Sequence, residues 1–172
     1  MPSPRQLKWI CRLWDELTDF DACHSEAALF HLMKTVCGRI DADNAVWVGA
    51  VRLMRGAAAR RDPLRGWRGR VMQHWLKPPS FMRAAGQAMK DQDTPDPGMT
   101  TMAVAKRAGV FRSYRLHDGF VNLAKFKRTE HYRLFYKNLG ITDRLWIAFP
   151  VNADAESYIL FDRCGSSKRF SI

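Results

Sequence analysis

The 172-residue sequence contains no run of 18 uncharged apolar residues, so no segment is expected to span a membrane. Its opening stretch, MPSPRQLKWICRLWDEL, lacks the apolar core of a secretory signal, and Asp15 and Glu16 argue against a transit peptide. Cysteine is scarce: residues 11, 23, 37 and 164 form no CxxC pair and read as reduced, mostly buried thiols in a cytoplasmic protein. The motifs GxSxG, HExxH, GxxxxGKS/T and GxGxxG are all missing. Cys23 and His24 are chain neighbours that are not expected to face one another. His24 and His31 read as satisfied surface histidines. Asp91, Asp93 and Asp96 are interrupted by Pro95 and Pro97 and read as a loop, not a calcium site. No enzymatic activity, metal or cofactor is expected.

Acidic residues are also in deficit. Seventeen Asp and Glu face 28 Lys and Arg, a formal net charge of +11. The excess lies in two blocks, residues 52–90 at net +9 and residues 105–137 at net +7. One reading is a nucleic-acid footprint, in which Arg60, Arg61, Arg65, Arg68 and Arg70 contact phosphates and release counterions. The other is a solvated basic surface. Pro63, Gly66 and Gly69 break any recognition helix in that segment, which favours the second reading.

What is present suits a folded domain. Hydrophobic residues make up 47% and aromatic residues 12% of the chain, which excludes disorder. At this length a single domain buries roughly 70% of the surface its unfolded chain exposes. Leu7, Ile10, Cys11, Trp14 and Leu17 form the apolar stripe of a helix over residues 6–18. A second helix is expected over residues 27–38, with Ser25 as its N-cap and Gly38 as its stop. NAVWVGAVRL, residues 44–53, is apolar on both faces, as a central strand covered on two sides would be. Residues 55–69 read as a loop, and residues 67–75 and 111–116 as strands. Helices are expected over 80–90, 99–108, 118–126 and 129–139, the last ended by Gly140. LWIAFPV and SYILFD, residues 145–151 and 157–162, make an antiparallel hairpin joined by residues 152–156, with Pro150 near a strand end or a bulge. The sum is an α+β domain built on one antiparallel sheet.

Two segments, HYRLFYKNLGITDRLWIAFPVNADAESYILFDR and VWVGAVRLMRGAAARRDPLRGWRGR, resemble the N-terminal GAF/PAS-like sensor domain of bacterial LuxR-type transcriptional regulators. The resemblance covers about residues 45–170. It implies a GAF-like antiparallel sheet of about five to six strands with helices on both faces. It also implies a single sensor domain over 1–172, with a helical pair at 1–40 and the sheet-containing core at 44–172. The family continues into a covering helix, for which Ser171 would be the N-cap, and then into a helix-turn-helix module that this chain does not include. The function implied is binding of a small-molecule ligand or partner, with control of an attached DNA-binding module through the arrangement of a homodimer. DNA would be met only through that module.

The rings are the candidate site. Trp47, Trp67, Phe111, Tyr114, Tyr132, Tyr136 and Trp146 are either core or the enclosure of an apolar or aromatic ligand, with His117, Arg112 and Arg115 as polar partners, most naturally for a ligand bearing an anionic group.

Overall fold

The computed structural model describes residues 2–165 and 169–170; the expected cap at Ser171 lies outside them. Helix α1 (Pro4–Thr18) begins with a capping box: the Ser3 hydroxyl accepts from the Gln6 amide at 3.2 Å, and the Ser3 amide donates to the Gln6 side chain. Helix α2 (Ser25–Ile40) starts at Ser25 itself, with His24 in the cap position and no side-chain cap. It runs through Gly38 and ends where Asp41 turns left-handed, so neither the expected cap nor the expected stop is used.

Next come β1 (Asn44–Arg52), α3 (Gly56–Arg61), β2 (Trp67–His74), α4 (Pro79–Asp91), α5 (Met99–Ala105) and β3 (Arg112–Arg115). They are followed by α6 (Leu123–Phe126), α7 (Glu130–Phe135), β4 (Ile141–Asn152) and β5 (Ala155–Cys164). The expected 55–69 loop holds a short helix, α3. The helix expected over 118–126 shrinks to its last turn, which starts where Asn122 accepts from the Lys125 amide. The 129–139 segment splits into α7 and a 3-10 turn, Lys137–Leu139, before Gly140 closes it with φ 69°. The strand signal was strongest at the end of the chain, and β4 and β5 extend beyond it at both ends. They pair from Ile141↔Cys164 to Asn152↔Ala155, with a register shift at Pro150, where no amide is available to the ladder.

The five strands form one antiparallel sheet in the order β2-β1-β5-β4-β3. Because side chains alternate between faces, register decides what each face carries. One row crosses every strand: His74, Val46, Leu160, Trp146 and Tyr114. The neighbouring row of opposite orientation includes Trp47, Ile159 and Ile147. The second face packs on α2 through Met33, Cys37, Ala45 and Phe161. The first packs on α4, α5, α7 and the adjoining turns through Phe81, Val104, Phe126, Phe135 and Tyr136. Helices thus cover both faces.

Helix α1 lies outside this arrangement. Leu13 is its buried residue, whereas Leu7, Ile10 and Trp14 from the predicted apolar stripe are exposed, Trp14 by 66%. The helix is held to α2 by the His31 ring nitrogen at 2.9 Å from Glu16. Two cysteines also depart from expectation: Cys11 and Cys23 are exposed, and Cys37 is buried. Among the described residues no helix is long and apolar enough to cross a membrane.

Candidate functional site

A cavity of about 190 Å³ lies between the first face of the sheet and helices α4, α5 and α7. The sequence leaves it open because α4 turns Ala84, Ala85 and Ala88 toward the sheet, where their side chains fill little space. Val46, Val48 and Leu160 form the apolar floor. An apolar void of about 150 Å³ admits benzene, so this one has room for a benzene ring with small substituents.

Three rings expected to enclose a guest line this space: Trp67, Tyr136 and Trp146. Tyr114 and Tyr132 stand one ring behind it. Tyr114 stacks on Phe120 at 4.9 Å, which meets Trp146 edge-on, and Tyr132 stacks on Tyr136 at 5.8 Å. Trp47 and Phe111 lie elsewhere. Trp47 is on the α2 face, its indole N–H donating to Ser157 at 2.6 Å, and Phe111 is 69% exposed just before β3.

The expected polar partners are engaged in holding the fold. The His117 ring meets buried Asp143 at 3.0 Å. Arg115 donates to Asp118. Arg112 forms a bidentate pair with buried Glu156, 2.9 Å on each arm, and Tyr158 donates to the same carboxylate. Burial works against the Arg112 charge, yet Glu156 more than offsets it and raises its pKa. Arg68 leaves the basic footprint for the same reason. It is 8% exposed, donates both terminal nitrogens to Asp62 at 2.8 and 3.0 Å, and reaches Asp93 through Nε at 2.8 Å. That pairing pulls the Asp62 carboxyl below its ordinary range. Arg60, Arg61, Arg65 and Arg70 remain exposed.

Arg68 and the Tyr136 hydroxyl reach the cavity, whereas its other polar neighbours, Arg144, Thr100, His131 and His74, were not singled out from the sequence. Arg144 on β4 lies over Tyr136, 4.7 Å to the ring centre, and donates to Asp162 at 2.8 Å. Thr100 and Tyr136 share a hydrogen bond at 3.3 Å. His131, on α7, is pushed down to about 4 by burial and then by the Arg144 charge. Its ring packs over Gly98, where φ is 95° and an added Cβ would stand 2.2 Å from Nδ1. His74, on β2, is 5% exposed, and among the described residues neither ring nitrogen has a hydrogen-bond partner. Strand periodicity was the available signal. His74 follows Met72 by two in RVMQHW, and Arg144 precedes Trp146 by two in DRLWIAF, so each shares a face with an apolar cavity residue.

Away from the cavity, Cys23 Sγ lies 3.5 Å from His24 Nδ1, so these neighbours do meet, contrary to expectation, in an exposed 3-10 turn. Asp21 joins them within ligand distance.

Two solved structures share this architecture. The VqsR ligand-binding domain from Pseudomonas aeruginosa superimposes with a TM-score of 0.54 at 15% identity, covering 98% of this chain and 84% of that one. SdiA in complex with octanoyl-rac-glycerol superimposes with a TM-score of 0.59 at 12% identity over the whole of this chain. The fold is that of a LuxR-type sensor domain. This chain spans 59% of the SdiA chain's length. No protein-family model matches the sequence, and no curated protein does.

Proposed function

We propose that this chain is the signal-sensing domain of a LuxR-type transcriptional regulator in the cytoplasm. It takes a small ligand into the cavity and controls an attached DNA-binding module through the arrangement of a homodimer. The observation that carries this reading is an apolar cavity between sheet and helices, in a fold shared with a ligand-binding domain and with a protein solved around octanoyl-rac-glycerol. The exposed Leu7, Ile10 and Trp14 on α1 supply an apolar surface for the second copy. The free energy available to the switch is the ligand's difference in affinity for the two arrangements.

Thermal denaturation with octanoyl-rac-glycerol and with 4-ethylphenol tests this. A ligand at a hundred times its Kd adds about 2.7 kcal/mol, which for a domain of this size raises Tm by roughly 5–10 °C. Ala88→Leu fills the space and removes the shift while the free protein still melts cooperatively. If neither compound moves Tm, or if Ala88→Leu leaves the shift intact, the cavity is not the receptor site.

A further inference from the structure

The connection between α1 and α2 carries three metal-ligating side chains that have no part in the cavity. Asp21, Cys23 and His24 fall on one 3-10 turn, closed where the His24 amide donates to the Asp21 carbonyl at 2.8 Å. In such a turn residues i and i+3 eclipse, which stacks Asp21 and His24 on one side. Asp21 Oδ2 and His24 Nδ1 are 3.9 Å apart, and Cys23 Sγ lies 3.5 Å from the same nitrogen. One sulfur, one nitrogen and one oxygen thus stand within 4.8 Å of one another. Asp21 occupies the cap position of the turn, yet its carboxylate makes no capping bond there.

These spacings match the edges of a coordination shell. A tetrahedral zinc ion holds sulfur at about 2.3 Å and nitrogen at about 2.0–2.1 Å, which sets those two ligands about 3.5 Å apart. The Cys23–His24 separation already has that value. A carboxylate ligand would stand about 3.4 Å from the nitrogen, so Asp21 has to close by roughly 0.5 Å. Its side chain is 85% exposed, and rotation about its own bonds supplies that movement.

The charge around the turn also favours a cation. The chain as a whole is at +11, but residues 13–33 contain Asp15, Glu16, Asp19, Asp21 and Glu26 and no Lys or Arg. In a basic protein this acidic stretch is where the local field draws a positive ion.

We propose that Asp21, Cys23 and His24 form a binding site for a thiophilic divalent cation of the zinc class, independent of the cavity. The donor set decides the class. Thiolate and imidazole suit zinc, whereas magnesium and calcium take oxygen ligands. On binding, the Cys23 thiol passes its proton to solvent, and thiolate and carboxylate together balance the two charges of the ion. Three protein ligands leave the fourth position to water.

The test uses the full 172-residue chain, reduced, with Co2+ as the spectroscopic probe and Zn2+ as the competitor. Cobalt bound through sulfur in a four-coordinate site gives a thiolate-to-metal charge-transfer band and intense visible bands. The expected result is both, saturating at one Co2+ per chain and removed by Zn2+. Cys23→Ser abolishes the charge-transfer band, and His24→Gln and Asp21→Asn each weaken Zn2+ binding by about tenfold or more. Cys11→Ser, which changes the other exposed thiol, leaves binding as it was. All three ligand residues are exposed, so their variants should melt as the wild type does.

A wild-type chain that gives no charge-transfer band overturns the proposal without recourse to any variant. A band that survives in Cys23→Ser overturns it too, as does Zn2+ affinity unchanged in His24→Gln or in Asp21→Asn.

Discussion

Arg144 and Asp162 sit opposite each other across the β4–β5 ladder, and the guanidinium that Asp162 holds lies over the Tyr136 ring. Asp162 is fully buried, so the pair fixes one wall of the cavity in a place where neither charge can be solvated alone. Replacing one member therefore differs from replacing both. Arg144→Leu should cost about 3–5 kcal/mol by leaving the carboxylate unpaired, measured by urea denaturation. Arg144→Leu with Asp162→Leu should recover most of that loss. A single variant as stable as wild type would show that the pair does not anchor the wall.

Stability should fall on mild acidification. His131 has a folded pKa of about 4 against an ordinary 6.5, so between those values the unfolded chain binds the extra proton and stability rises with pH. The contribution is complete above about pH 6.5, is lost as pH drops toward 4, and amounts to about 3 kcal/mol. His74, whose pKa is also lowered, adds in the same direction. Urea denaturation at pH 7 and pH 4.5 should show the loss, and His131→Phe should make the profile shallower. A wild-type profile that is flat across this window would mean His131 titrates normally.

Trp14 should matter for association and little for folding. It is two-thirds exposed on a helix whose buried contact is Leu13. Light scattering of the purified chain should give a dimer, and Trp14→Glu should shift it to monomer with Tm changed by only a few degrees. A monomeric wild type at tens of micromolar would remove α1 from the proposed switch.

The basic segment should bind duplex DNA weakly. With Arg68 locked to Asp62, the exposed set is Arg60, Arg61, Arg65 and Arg70. Four phosphate contacts give a log–log salt slope of about −4 at most. Anisotropy titrations of this chain should show no saturable binding near 150 mM salt. Submicromolar affinity with a steeper slope would place nucleic-acid binding ahead of sensing.

The legible parts of the fold were those governed by local pattern. Alternation and β-branching located β1, β4 and β5, and Gly140 marked its turn. Less legible were elements whose signal is contextual. Residues 118–126 read as one helix, yet Asn122 caps a turn that starts only at Leu123. Gly38 reads as a stop, but nothing lies within 4 Å of where its Cβ would be and the helix runs through it. The α1 stripe was legible as amphipathic, but periodicity cannot tell a face turned to the core from one turned outward.

Aromatic content, alternation and the two late strands determined by themselves an α+β domain with a sheet covered on both sides, because burial periodicity is written residue by residue. Tertiary structure alone decided which groups met. Strand register put His74, Val46, Leu160 and Trp146 in one row and turned Trp47 to the other side. Long-range pairing gave Arg112 and His117 to buried carboxylates and, among the described residues, left the His74 ring nitrogens without a hydrogen-bond partner. Partners distant in sequence are chosen by the free energy of packing the whole chain, and no local pattern encodes that choice.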